Sequence, residues 1–145
     1  DPNAHHRLDF HRLTGITPNR KEAFWMARAA ETDPEPDPLK DKPLLQVGQE
    51  LLRSTGVENV LITLGEHGMC LFQEGAAPHH IPTAAREVFD VSGAGDTVIS
   101  AFSLALAAGL DAARAAYLAN QAAGLVVAKA GTATVSPDEL LAAVR

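Results

Sequence analysis

The sequence is poor in cysteine and in positive charge, and each shortage removes a class of protein. Cys70 is the single cysteine in 145 residues, which excludes an intrachain disulfide and a cysteine-built zinc cluster. It sits in the apolar run Met69-Cys70-Leu71-Phe72 and is expected to be a buried, unreactive thiol. Twelve Lys and Arg against eighteen Asp and Glu give a formal charge of −6, which argues against a general nucleic-acid partner. A small anionic ligand remains open, because local fields at helix ends override net charge. No apolar run is long enough to span a bilayer and no signal peptide is evident, so a cytoplasmic location without a membrane partner is expected. Internal repeats and a second domain are not evident either. The chain opens Asp1-Pro2-Asn3 without a methionine and is expected to be the remainder of something longer.

What is present is an ordinary globular composition, 46% hydrophobic and 21% charged, in one domain's worth of chain. Helices and strands are expected to alternate. A short strand at 16–19 leads to a helix over 20–30, then to an acidic loop whose alternating Pro34, Pro36 and Pro38 exclude both helix and central strand. A helix over 43–55 stops at Gly56, and the apolar run 60–64 reads as a strand buried on both faces of a sheet. Turns at 65–68 and 74–75 separate strands at 69–73 and 79–82, and a further strand is expected at 87–91. Alanine-rich helices over 97–108 and 111–129 suit close packing, and Ser136-Pro137-Asp138-Glu139 starts a last helix. The pattern predicts an α/β fold with a small antiparallel excursion.

The chemistry concentrates in Val88-Phe89-Asp90-Val91-Ser92-Gly93-Ala94-Gly95-Asp96-Thr97. A β-branched run meets a Gly-Ala-Gly turn and then a helix, a junction that presents bare N–H groups at the positive end of a helix dipole. Glycines there let the backbone approach a ligand closely. A carboxylate at Asp96 would repel a phosphate unless it had chemical work to do. The functional reading makes Asp96 a base facing a substrate hydroxyl, with the amides of Gly93, Ala94, Gly95 and Asp96 receiving charge from a transferring phosphoryl group. The structural reading is that an acid in the first turn of a helix is favourable in itself.

Asn19 and Glu22 also carry two readings. Asn at an N-cap with Glu three residues on matches reciprocal capping, which suffices in an arbitrary sequence. Alternatively both side chains reach a Mg²⁺–phosphate group through water. His5, His6 and His11 lie near Asp1 and Asp9, but their spacing fits no ligand motif and solvated loop histidines are far commoner.

Taken in order, several motifs resemble the ribokinase-like (PfkB) carbohydrate kinases. They are Thr17-Pro18-Asn19 with Glu22, Thr63-Leu64-Gly65 with Gly68, Asp90 through Asp96, and Ala119-Asn120. Within that family, His80-Ile81-Pro82, Arg86 through Val91 and Ala123 through Ser136 look most like heptose 7-phosphate kinases, the kinase half of bacterial ADP-heptose synthesis proteins. The resemblance spans nearly the whole chain but only the C-terminal half of a family kinase domain. It implies a three-layer α/β/α sandwich and an ATP- and Mg²⁺-dependent kinase acting on a sugar phosphate. By the resemblance, Asp96 is the base that draws the proton from the anomeric hydroxyl, and Gly93, Ala94 and Gly95 form the anion hole with the amide of Asp96. It places Asn19 and Glu22 near Mg²⁺ and the triphosphate, Thr63, Gly65 and Gly68 on the nucleotide side, and Asn120 beside the adenine pocket. It puts Asp90 and Ser92 beside a monovalent cation such as K⁺.

Departures bear on the expectation. Ser92 stands where Thr is commoner and keeps the hydroxyl. The N-terminal half of the domain, with its glycine-rich signature, most sugar contacts and the lid that often serves homodimerisation, is not in these residues. A nucleotidyltransferase domain is not in these residues either. This segment alone is expected to expose a strand edge and apolar surface, and to need the other half to act. Two rivals stand beside the heptose reading: a ribokinase-like kinase for another sugar or a nucleoside, and a non-catalytic nucleotide-binding module.

Overall fold

A computed structural model of the chain describes residues 13–145, so the histidines at 5, 6 and 11 lie outside the described residues. The residues group into two compact units, Asp1–His80 and Ile81–Arg145.

The first unit carries a four-stranded sheet in the order β1-β2-β3-β4, with β1 at Gly15–Ile16, β2 at Asn59–Thr63, β3 at Met69–Gln73 and β4 at His79–Ile81, which runs into the boundary. β1 and β2 are parallel, with Ile16 opposite Val60, whereas β2 and β3 are antiparallel, with Ile62 opposite Cys70. The antiparallel excursion expected from the sequence is therefore present. Asn59 helps lock this register: its Nδ2 donates to the Thr14 carbonyl at 2.9 Å and its Oδ1 accepts from Gln73 Nε2 at 2.9 Å. Four residues of β2, Asn59 through Ile62, are buried on both faces, as its continuous apolar run requires.

Two helices of this unit, α1 at Arg20–Met26 and α2 at Lys42–Thr55, pack on the sheet. Ala23 and Phe24 of α1 and Leu44, Val47 and Leu51 of α2 join Val60, Ile62, Cys70 and Phe72 in one core. Gly48 lets α2 lie directly on the Phe72 ring, because a Cβ there would overlap it. Cys70 is fully buried, and burial pushes its thiol pKa up to about 12, which makes it inert at neutral pH.

α1 is a turn shorter than the periodicity predicts. The amide of Ala29 returns to the Phe24 carbonyl at 2.9 Å and that of Arg28 to the Trp25 carbonyl at 3.0 Å, with Arg28 at φ 55°. This is a Schellman stop, which the sequence conceals because arginine stands where glycine is usual. α2 matches its expected bounds closely, starting at Lys42 with Asp41 as N-cap and ending before Gly56 at φ 69°.

The second unit is helical: α3 at Ala94–Ala107, α4 at Ala112–Val127 and α5 at Pro137–Ala143. The short link 108–111 returns α4 against α3, and the small residues Ala112, Ala115, Ala116 and Ala119 permit close packing. Asp111 caps α4 through the Arg114 amide at 2.9 Å. Ser136 and Glu139 form a reciprocal box at the start of α5, where Lys129 Nζ also meets Glu139 at 2.8 Å.

Two expectations fail here. Residues 87–91 are not a strand: Val88, Phe89 and Val91 are 64%, 72% and 68% exposed. A β-branched run becomes a strand only beside a ladder partner, and none of the described strands pairs with it. Instead the amides of Phe89 and Asp90 both donate to the Val127 carbonyl at the end of α4, at 2.7 and 3.3 Å. α3 also begins three residues earlier than expected, at Ala94 rather than Thr97. The turn ends at Gly93, and Ala94, Gly95 and Asp96 are already helical.

Candidate active site

In the second unit, the turn 91–94 sets the entrance of α3. Gly93 adopts φ 80°, a left-handed conformation that L side chains rarely take, and a Cβ there would sit 3.2 Å from the Thr132 methyl. The Ala94 amide donates to the Val91 carbonyl at 3.2 Å, and the Thr97 amide and hydroxyl both donate to the Gly93 carbonyl at 3.0 Å. Among the described residues the amides of Gly93, Gly95 and Asp96 find no protein acceptor. Of the four amides expected to form an anion hole, Ala94's is thus engaged within the turn and three remain available. The side chain of Asp96 lies in the first turn of α3, on an exposed residue.

Gly95 differs from Gly93. Its φ is not positive, and a Cβ added to it would meet nothing within 4 Å. Glycine in a helix costs up to ~1 kcal/mol relative to alanine, so local structure offers no reason for it here. A backbone that must stay bare for a ligand does offer one.

Asp90 and Ser92 meet just before this turn. Asp90 Oδ1 accepts from the Ser92 amide at 2.9 Å, an Asx-type turn that aims the chain into Gly93. The Ser92 amide first, then its hydroxyl and the Gly131 amide, hold the Asp90 carboxyl below its usual pKa and keep it ionised.

Asn120, expected beside an adenine pocket, is buried in α4, and its Nδ2 donates to the Pro82 carbonyl at 2.7 Å. Its structural duty is to tie the segment after β4 to the helix, which takes one of the two amide N–H groups.

The first unit gathers the other residues at the carboxyl ends of the parallel pair β1 and β2, where open α/β sheets bind ligands. Asn19 bridges Thr63 in parallel register, and the Thr63 amide donates to the Pro18 carbonyl at 3.0 Å. Asn19 Oδ1 accepts from the Glu22 amide at 2.9 Å, while Glu22 Oε2 accepts from the Asn19 amide at 2.8 Å. The capping reading is therefore realised in full. Among the described residues it leaves Glu22 Oε1 and Asn19 Nδ2 without a protein partner, enough for contacts through water but not for a metal cage. Among the described residues no group of three His, Cys, Asp or Glu could hold a metal ion, so a Mg²⁺ here would draw most of its ligands from phosphate and water. Beyond Thr63 a 3₁₀ turn at Gly65–His67 leads to Gly68, whose backbone at φ 82°, ψ −124° is open essentially to glycine alone.

Sequence reasoning missed one feature of this end. Arg20, the first residue of α1, reaches Asp41 at 2.8 Å and the Thr32 carbonyl at 3.2 Å, and its guanidinium lies 4.8 Å from the Phe24 ring centre. The proline-rich loop is clamped rather than free. Asp41 followed by Pro43 was the available signal, an N-cap acid before a proline in the first helical turn.

A family model for pfkB family carbohydrate kinases matches residues 12–139. This chain belongs to that family. The bifunctional protein HldE of Pelobacter propionicus is 48% identical over 139 residues, which cover 94% of this chain and 27% of the relative. The chain thus spans about a quarter of the length of the curated relatives it matches. Among solved structures, ribokinase from Thermotoga maritima aligns with a TM-score of 0.78 at 26% identity, over 93% of this chain and 43% of that one. Arabidopsis thaliana ribokinase, solved with ribose and ATP, aligns at 0.77 and 26%, over 94% and 42%. The fold is ribokinase-like α/β. No helix among the described residues is long and apolar enough to cross a membrane.

Proposed function

We propose that residues 1–145 form the ATP-binding and catalytic part of a sugar kinase that phosphorylates the anomeric hydroxyl of D-glycero-β-D-manno-heptose 7-phosphate, giving the 1,7-bisphosphate. The reading rests most on the entrance of α3, where a glycine that local structure does not require stands beside free amides and a carboxylate. Membership of a carbohydrate kinase family supports the reaction class. The choice of heptose follows the sequence resemblance in 80–82, 86–91 and 123–136.

ATP with Mg²⁺ supplies the phosphoryl group. Transfer through a loose transition state asks the protein mainly for positioning and charge stabilisation. The amides of Gly93, Gly95 and Asp96, at the positive end of α3, are suited to receive developing negative charge. The Asp96 carboxylate accepts the proton of the attacking hydroxyl. Glu22 and Asn19 contribute water-mediated contacts on the metal side, and Asp90 with Ser92 supplies oxygen ligands for a monovalent cation such as K⁺. The sugar contacts, the remaining half of the kinase domain and a homodimer belong to the same reading, since this chain accounts for less than half of a ribokinase.

The test is Asp96→Asn in the full-length protein, followed by ADP release against a panel of sugar phosphates. Turnover should fall by roughly 10²–10⁴ while ATP affinity stays nearly unchanged, with heptose 7-phosphate the best acceptor of the wild type. A fully active Asp96→Asn enzyme would remove the base.

A further inference from the structure

The loop between β2 and β3 closes on itself. The His67 amide donates to the Leu64 carbonyl at 3.2 Å, the Gly68 amide to the Gly65 carbonyl at 3.0 Å, and the Leu64 amide to the Gly68 carbonyl at 2.8 Å. These bonds fix the loop's shape, and the pairing of Thr63 with Met69 fixes its two ends on the sheet. The middle of the turn has a further tie, from β4, the strand beside β3, whose His80 brings Nε2 to 2.7 Å from the His67 carbonyl oxygen. A carbonyl only accepts, so Nε2 carries the proton. Among the described residues no other side chain hydrogen-bonds the backbone of 64–68. The Glu66 carboxylate is 90% exposed and reaches no closer than 3.9 Å to the His67 ring, so it does not anchor the loop.

We propose that His80 is a positioning residue for nucleotide binding: its bond to the His67 carbonyl holds the Gly65–Gly68 turn in the conformation that receives a nucleoside triphosphate. The proposal rests on the reading of Thr63, Gly65 and Gly68 as the nucleotide side. Two positive-φ glycines give the middle of the turn few steric restraints of its own, and any residual freedom there must be lost when ligand binds. A tie from a neighbouring strand removes that cost in advance. The effect falls on affinity for the nucleotide and leaves the chemistry at α3 untouched.

The experiment compares His80→Phe, His80→Gln and Gly68→Ala in the full-length protein, by steady-state kinetics and by amide exchange at residues 64–68. His80→Phe keeps a flat ring but cannot donate. It should raise the KM for ATP about fivefold, leave kcat and the sugar KM within about twofold, and speed exchange in the loop. His80→Gln offers an amide donor at similar reach and should restore most of the loss. If Gly68→Ala raises the KM for ATP and His80→Phe does not, the tie is overturned while the loop reading stands. If neither variant moves it, the loop does not face the nucleotide and the proposal falls with that reading.

Discussion

Arg20 Nη1 lies 2.8 Å from Asp41 Oδ2, joining the first residue of α1 to the N-cap of α2, with the side chains only 13% and 2% exposed. Asp41 also accepts from the amides of Leu44 at 3.0 Å and Glu35 at 3.3 Å, so every bond a buried carboxylate needs is supplied by the chain. Breaking this pair from one side leaves an uncompensated charge. Arg20→Met should therefore destabilise by about 3 kcal/mol, read as a shift in the urea midpoint at constant slope.

The same pair sets an acid limb of stability. Burial works against charge on Asp41, but the Leu44 amide, the Arg20 guanidinium and the Glu35 amide outweigh it and hold the carboxyl below 3.8. A carboxyl whose pKa is lower folded than unfolded stabilises the protein fully above the unfolded value, and that stabilisation is lost as pH falls through the folded one. The wild type should lose stability progressively below about pH 4. Asp41→Asn, less stable at neutral pH, should show a flatter profile there, measured by urea titrations from pH 6 to pH 2.5. An unchanged acid limb in Asp41→Asn would assign it to other carboxyls.

Arg28 presents a different opportunity. It holds φ 55° at the end of α1, is exposed, and among the described residues its side chain makes no hydrogen bond or ion pair. Glycine takes this conformation without a Cβ penalty, so Arg28→Gly should stabilise the protein by about 0.5–1 kcal/mol, whereas Arg28→Val should destabilise it. Thermal unfolding of the two variants tests the sign of each change.

What could be read in advance follows from where the determining forces are local. The helix starts at Asn19 and Ser136 and the stop at Gly56 are legible because each depends on a few neighbouring residues. The strands 60–64 and 69–73 were legible because an apolar run bounded by glycine turns has few other uses. The strand expected at 87–91 did not form, since pairing is settled by distant backbone and not by β-branched side chains. Periodicity extends α1 beyond its true end because the stop uses Arg28, and it hides the first turn of α3 because Gly93-Ala94-Gly95 reads as a turn throughout. At the candidate site, the residue types were visible but not their commitments. That Asn120 donates to the Pro82 carbonyl, and Ala94's amide to that of Val91, depends on contacts that no spacing encodes.

Gly95 offers the sharpest separation of stability from activity. Its backbone is helical, its neighbourhood is open, and it sits between Ala94 and Asp96 in the first turn of α3. On structural grounds alone alanine is the better residue, and Gly95→Ala should raise unfolding stability by about 0.5–1 kcal/mol. If the amides at this entrance receive a transferring phosphoryl group, the added methyl stands where the ligand must approach. Turnover of the full-length protein should then fall by roughly 10²–10³-fold, the range for losing one donor that stabilises a developing anion. The two measurements must move in opposite directions. A variant both more stable and equally active would mean that nothing approaches this backbone closely, and the phosphoryl-transfer reading of the α3 entrance would have to be abandoned.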